Sequence, residues 1–90
     1  MFFMSNKDTK RIEILTMMAI QGTELEKSVF PSKPLNLLSY YLIQLQNMIN
    51  LQVEPITIKD EIKLIIKTNR EAKSLATPLI REIHRLLLKN

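Results

Sequence analysis

PLNLLSYYLIQLQNMINLQV, residues 34–53, is a run of twenty residues without one charged side chain, in a chain of 90 residues of which 24% are charged. Read as an α-helix, with about 100° between successive residues, it places Leu35, Leu38, Leu42, Leu45 and Ile49 in one stripe. Leu37, Tyr41, Met48 and Leu51 flank that stripe, so the apolar arc exceeds half the circumference and needs neighbours on two sides. Asn36, Ser39, Gln46, Asn47 and Asn50 form the remaining face, which is polar but uncharged. The length would suit a transmembrane helix, for which about 20 apolar residues are required. Seven of these residues are Asn, Gln or Ser, however, and a bilayer would leave their amides and hydroxyls poorly satisfied. The stretch therefore predicts the central helix of a small bundle.

Composition points the same way. One glycine in 90 residues argues against tight hairpins and phosphate loops, and apolar residues recur at threes and fours, which makes the expected fold all-α. The length suits one domain spanning residues 1–90, near the lower limit for a self-sufficient core, a marginality that dimerisation would relieve. With no cysteine there is no disulfide or thiolate chemistry. Met1, Phe2, Phe3 and Met4 form an apolar tip without the basic start, long apolar core or cleavage site of a signal peptide, so a cytoplasmic location is expected.

On the N-terminal side, Asn6 suits an N-cap with Asp8 in the first turn, and Ile12, Leu15 and Ala19 recur at helical spacing with Met18 beside them. Gly22 reads as the stop of this helix. Thr23 and Glu26 have capping-box spacing and predict a short second helix to about Val29. Pro31 and Pro34 mark a connector, with Phe30 expected in the core and Ser32 or Lys33 just before the central helix. Val53 to Ile56 form another connector, and Thr57 is the expected N-cap of the next helix.

From there Ile58, Ile62, Ile65, Asn69, Ala72, Ala76, Leu79, Ile83 and Leu86 alternate in steps of four and three. This coiled-coil-like seam predicts a long last helix, kinked at Pro78, with Asn69 as its one strongly polar position. The alternative is a chain broken at Thr68 and Asn69 and again at Thr77 and Pro78, with Thr77 as a cap. The expected architecture is thus three main helices plus one short one. Leu75, Ala76, Thr77, Pro78 and Leu79 resemble the Leu-x-Thr-Pro-Leu segment of the phosphoacceptor helix of histidine kinases, where proline lies inside a helix of a dimeric bundle. Where that pattern has its phosphorylated histidine this chain has Lys73, so the resemblance implies a kinked helix and not phosphotransfer.

The net charge of +4 is carried by the last third: residues 57–90 hold eight Lys or Arg against four Asp or Glu. On the helical wheel Lys59, Lys63, Lys67, Arg70, Lys73, Arg81, His84 and Arg85 gather on one flank of the seam, with Asp60, Glu61, Glu71 and Glu82 on the other. A basic flank suits nucleic-acid phosphates, pairing with a neighbouring helix, or simple solvation. A helix-turn-helix, with Arg81, His84 and Arg85 on its last helix, would need a turn glycine that is absent here. His84 is the only histidine, and no catalytic set, metal-ligand set or cofactor motif can be assembled around it. Tyr40, Asn69, Leu79, Ile83 and Leu86 are the candidate protein interface, and Met17 and Met18 suit soft apolar surface or core. The expected function is non-enzymatic: an adaptor or regulator binding a protein partner or a second copy through helix faces, with nucleic-acid binding by the basic flank as the alternative. Neither a membrane nor a small-molecule substrate is expected.

Overall fold

A computed structural model describes residues 5–89. Its elements are four helices: α1 (Asn6–Val29), α2 (Lys33–Asn50), α3 (Pro55–Ala72) and α4 (Thr77–Lys89), of 24, 18, 18 and 13 residues. The protein is all-α, and among the described residues no helix is long and apolar enough to cross a membrane. Met1, Phe2, Phe3 and Met4 lie outside the described residues.

Helix α1 is capped by Ser5, whose extended backbone (φ −64°, ψ 154°) lets its hydroxyl accept from the Asp8 N–H at 3.1 Å, so the N-cap lies one residue before the expected Asn6. It runs unbroken through Gly22, because a single interior glycine costs only about 1 kcal/mol against alanine. Thr23 does not cap a second helix; its hydroxyl donates to the Ile20 carbonyl at 3.0 Å within α1. The two expected N-terminal helices are therefore one. Phe30 ends it and is 74% exposed rather than in the core.

Ser32 caps α2 by accepting from the Leu35 N–H at 3.2 Å, and Pro34 sits in the first turn, where its missing N–H leaves no bond unmade. At the other end Gln52 adopts a left-handed conformation (φ 54°). The Gln52 N–H bonds the Ile49 carbonyl and the Val53 N–H the Met48 carbonyl, each at 3.1 Å, while Val53 and Met48 both pack on the core. This is a Schellman close built without glycine. The connector to α3 is only residues 51–54; Pro55 opens that helix, and Thr57 lies inside it rather than capping it.

The last third is two helices, not one kinked helix. Lys73 turns left-handed (φ 50°, ψ 48°), with its N–H on the Asn69 carbonyl at 2.7 Å, and α3 ends. Asn69 then serves the turn: its Oδ1 accepts from the Ser74 N–H at 3.2 Å and its Nδ2 donates to the Thr77 hydroxyl at 2.9 Å. Ser74 Oγ accepts from the Ala76 N–H at 2.9 Å, and the Thr77 hydroxyl donates to the Ser74 carbonyl at 2.6 Å. Pro78 falls in the first turn of α4, where it kinks nothing. The last helix, expected to be long, is the shortest of the four.

Each helix packs on its chain neighbours and α1 also packs on α4, while the backbones of the diagonal pairs stay farther apart, so the four surround one core in a body of 38 × 20 × 19 Å. Short connectors make consecutive helices antiparallel. Helices α1 and α4 are antiparallel too, since Asp8 pairs with Lys89 at 3.6 Å at one end and Glu26 meets Leu75 at the other. The α2 stripe of Leu35, Leu38, Leu42, Leu45 and Ile49 is buried as expected. Of its flanks, Tyr41 and Met48 are half-buried and Leu37 and Leu51 exposed. Ile58, Ile62 and Ile65 of α3 and Ile80, Ile83, Leu86 and Leu87 of α4 complete the core with Ile12 and Ala19.

Asn69→Ala removes the two bonds that this side chain makes in the turn and should lower stability by about 1–3 kcal/mol in chemical denaturation, whereas Glu71→Ala, at an exposed position, should change it by less than about 0.5 kcal/mol.

Candidate functional site

Two surfaces can be built from these helices, one basic and one apolar. The basic one lies where α3 and α4 fold against each other. Lys63, Lys67 and Arg70 of α3, Lys73 of the turn and Arg81 of α4 are all exposed. Arg70 and Arg81, far apart in a single long helix, instead line one cleft of about 250 Å³ with Ile66, Asn69, Thr77 and Ile80. Neither arginine has an ion-pair partner among the described residues. Two guanidinium groups on one cleft suit an anion such as a phosphate.

Other members of the expected basic flank are placed differently. Arg85 bonds Glu82 through Nε and Nη2, both at 2.7 Å, and Arg11 of α1 approaches the same carboxylate at 3.5 Å. The Arg85 hydrogen bonds hold the Glu82 carboxyl below the usual glutamate range, with lesser help from the charges of Arg85 and Arg11. The same bonds raise Arg85. The Arg85 bonds stay within α4, and it is the Arg11–Glu82 pair that ties α4 to α1. Lys59 and His84 are half-buried. Among the described residues no three of His, Cys, Asp and Glu gather as a metal site would require.

The acidic flank holds a residue whose surroundings the sequence did not indicate. Asp60 and Glu71 are exposed, but Glu61 is 6% exposed and its Oε2 has no hydrogen-bond partner among the described residues. Burial raises its pKa above the usual glutamate range. The signal available was its place three residues after Ile58, one step from the seam of a helix packed on two sides.

The apolar surface joins the C-terminal half of α1 to the turn before α4. Gly22, Leu25, Glu26, Val29, Phe30, Leu75, Ala76 and Leu79 line an open groove of about 520 Å³. Glu26 anchors its rim, accepting from Ser74 Oγ at 2.7 Å and the Leu75 N–H at 3.0 Å. Of the candidate interface residues, Leu79 lines this groove, half-buried, while Tyr40 is 55% exposed on α2, its hydroxyl accepting from Gln44 Nε2 at 2.8 Å. Asn69, Ile83 and Leu86 are buried in the turn and core, because the seam closes within the chain. Sequence reasoning missed the groove by reading Gly22 as a helix end and Phe30 as core. The chain matches no protein-family model, no curated protein and no solved structure.

Glu61 supplies a test in pH. Because its folded pKa is raised, the native state binds more protons than the unfolded chain between the two pKa values, so stability falls as pH rises through that window and remains lower above it. Glu61→Gln, which removes the buried charge, should therefore raise stability at neutral pH. In urea unfolding that advantage should shrink below about pH 4, where glutamate is protonated in both states. An equal difference at both pH values would contradict this account.

Proposed function

We propose that this chain is a non-enzymatic adaptor or regulator, a single helical domain that binds a protein partner or a second copy of itself through helix faces. The observation that carries the reading is the groove between α1 and α4. Leu25 (69% exposed), Phe30 (74%) and Leu75 (84%) stand in solvent along one continuous apolar rim, and such contiguous exposure marks interaction surfaces rather than ordinary monomer surface. A lack of cysteine fits a reducing compartment, and the cytoplasm is the proposed location. The test is a photo-crosslinking residue at Leu75 in the native cellular background. One discrete adduct, lost when Leu25→Glu is added, is expected; no adduct of defined mass, or one indifferent to Leu25→Glu, would overturn the reading.

A second reading has its own observation. Arg70 and Arg81, without an ion-pair partner among the described residues, share a cleft flanked by exposed Lys63, Lys67 and Lys73, and this supports binding to a nucleic-acid backbone. Anisotropy titrations of labelled duplex and single-stranded DNA and RNA at two salt concentrations test it. Replacing Lys67, Arg70 and Arg81 together by Gln should weaken binding about uniformly across sequences and reduce the salt slope by roughly one for each phosphate no longer neutralised. Affinity unchanged by the triple substitution would remove this role.

A further inference from the structure

Helix α1 is apolar on two opposite faces. Its core-facing side is modest: Asp8, Ile12, Thr16, Ala19 and Thr23 are buried, and both threonine hydroxyls fold back onto carbonyls of their own helix. Larger side chains point the other way. Ile14, Met18, Leu25 and Val29 are 50%, 48%, 69% and 60% exposed. They are spaced by four, seven and four residues, which keeps them on one stripe of the helix. No charge interrupts the stripe, and Gln21 and Gly22 occupy its middle.

Packing among the described residues does not require a glycine at position 22. A Cβ built there would meet nothing within 4 Å and its backbone is helical, so alanine would fit and would stabilise the helix by about 1 kcal/mol. What its missing side chain does provide is a point where another helix can approach closely. The apolar residues are disposed symmetrically about the peptide joining Gln21 to Gly22: Ile14 and Val29 lie equally far from it, as do Met18 and Leu25. A foreign helix has no need of that symmetry. A copy of the same helix, antiparallel across a two-fold axis, does, because each surface must complement itself.

Building on the adaptor reading, we infer that the outward face of α1 is a self-association surface, occupied by α1 of a second copy crossing antiparallel at Gly22. Ile14 of one copy then packs on Val29 of the other, and Met18 on Leu25. Exposed Phe30 and Leu75 extend the apolar area at each end of the contact. A 90-residue bundle, near the lower limit of what one core stabilises, gains from covering this surface.

Equilibrium sedimentation and cysteine crosslinking test the assignment together. The wild-type chain should pass from monomer to dimer mass with rising concentration. Leu25→Glu should weaken the dimer by about a hundredfold while leaving helicity and monomer stability unchanged, since the position is exposed. The chain has no cysteine of its own, so Gln21→Cys, beside the axis, should form a dimer disulfide on mild oxidation, and Asn47→Cys, exposed on α2, should not. A wild-type chain that stays monomeric at millimolar concentration would overturn the inference. So would a dimer that tolerates Leu25→Glu and crosslinks through Asn47→Cys but not Gln21→Cys. In either case a discrete Leu75 crosslink to another protein would leave the adaptor reading standing.

Discussion

The fold depends on one small hydrogen-bonded corner, where the Glu26 carboxylate of α1 receives the Ser74 hydroxyl and the Leu75 N–H. Asn69 completes it by holding the Ser74 N–H and the Thr77 hydroxyl. Residues 69–77 would otherwise continue an unbroken apolar seam, and a seam on a straight helix demands a partner helix along its full length. The corner ends α3, reverses the chain and starts α4 beside α1. Once α4 lies there, Lys89 reaches Asp8 and Glu82 reaches Arg11 near the start of α1, and with the Glu26 corner these hold the two helices together at both ends. Helices α3 and α4 touch each other least of the adjacent pairs. The last helix is therefore placed mainly by α1 rather than by the helix that precedes it.

That arrangement redistributes what is available to partners. Ile83 and Leu86 are committed to the core of their own chain. Arg70 and Arg81 are brought together on one cleft. Exposed large apolar residues are spread over all four helices, but α1 carries more of them than any other, Ile14, Met17, Met18, Leu25 and Val29, while its inner face is made of Ile12, Ala19 and two self-bonded threonines. Glu61 is the counterpart on the inside: an acid buried with one oxygen unpartnered among the described residues, in a helix otherwise well matched to its place.

Packing across the bundle also explains the ties that carry no apolar area. Ser39 is buried on the amide face of α2 because its hydroxyl donates to Glu24 of α1, and that bond, followed by the one from Lys27, holds the Glu24 carboxyl below the usual range. Glu24 and Glu26, two residues apart, thus reach different neighbours, one bonding α2 and the other the turn before α4. They can do so because residues two apart on a helix point about 200° away from each other.

The sequence by itself determined the features that depend on local chemistry or on periodicity along one helix. These are the all-α class, the buried stripe of α2, its start at Ser32 or Lys33 with Pro34 in the first turn, and the apolar identities of Ile58, Ile62, Ile65, Ile83 and Leu86. Pro78 in a first turn was legible as an alternative, for the same reason. Where the decision lay between distant residues, local signals misled: Gly22 and Thr23 mimic a helix boundary, yet the helix continues, and beyond them Glu24 bonds Ser39 of α2 and Glu26 bonds Ser74 of the turn before α4. Whether Asn69 sits in a seam or closes a turn depends on Glu26, more than forty residues away, which no local pattern contains. Only the tertiary structure could decide that the seam folds back on its own chain. In doing so it decided which faces remain for anything else to bind.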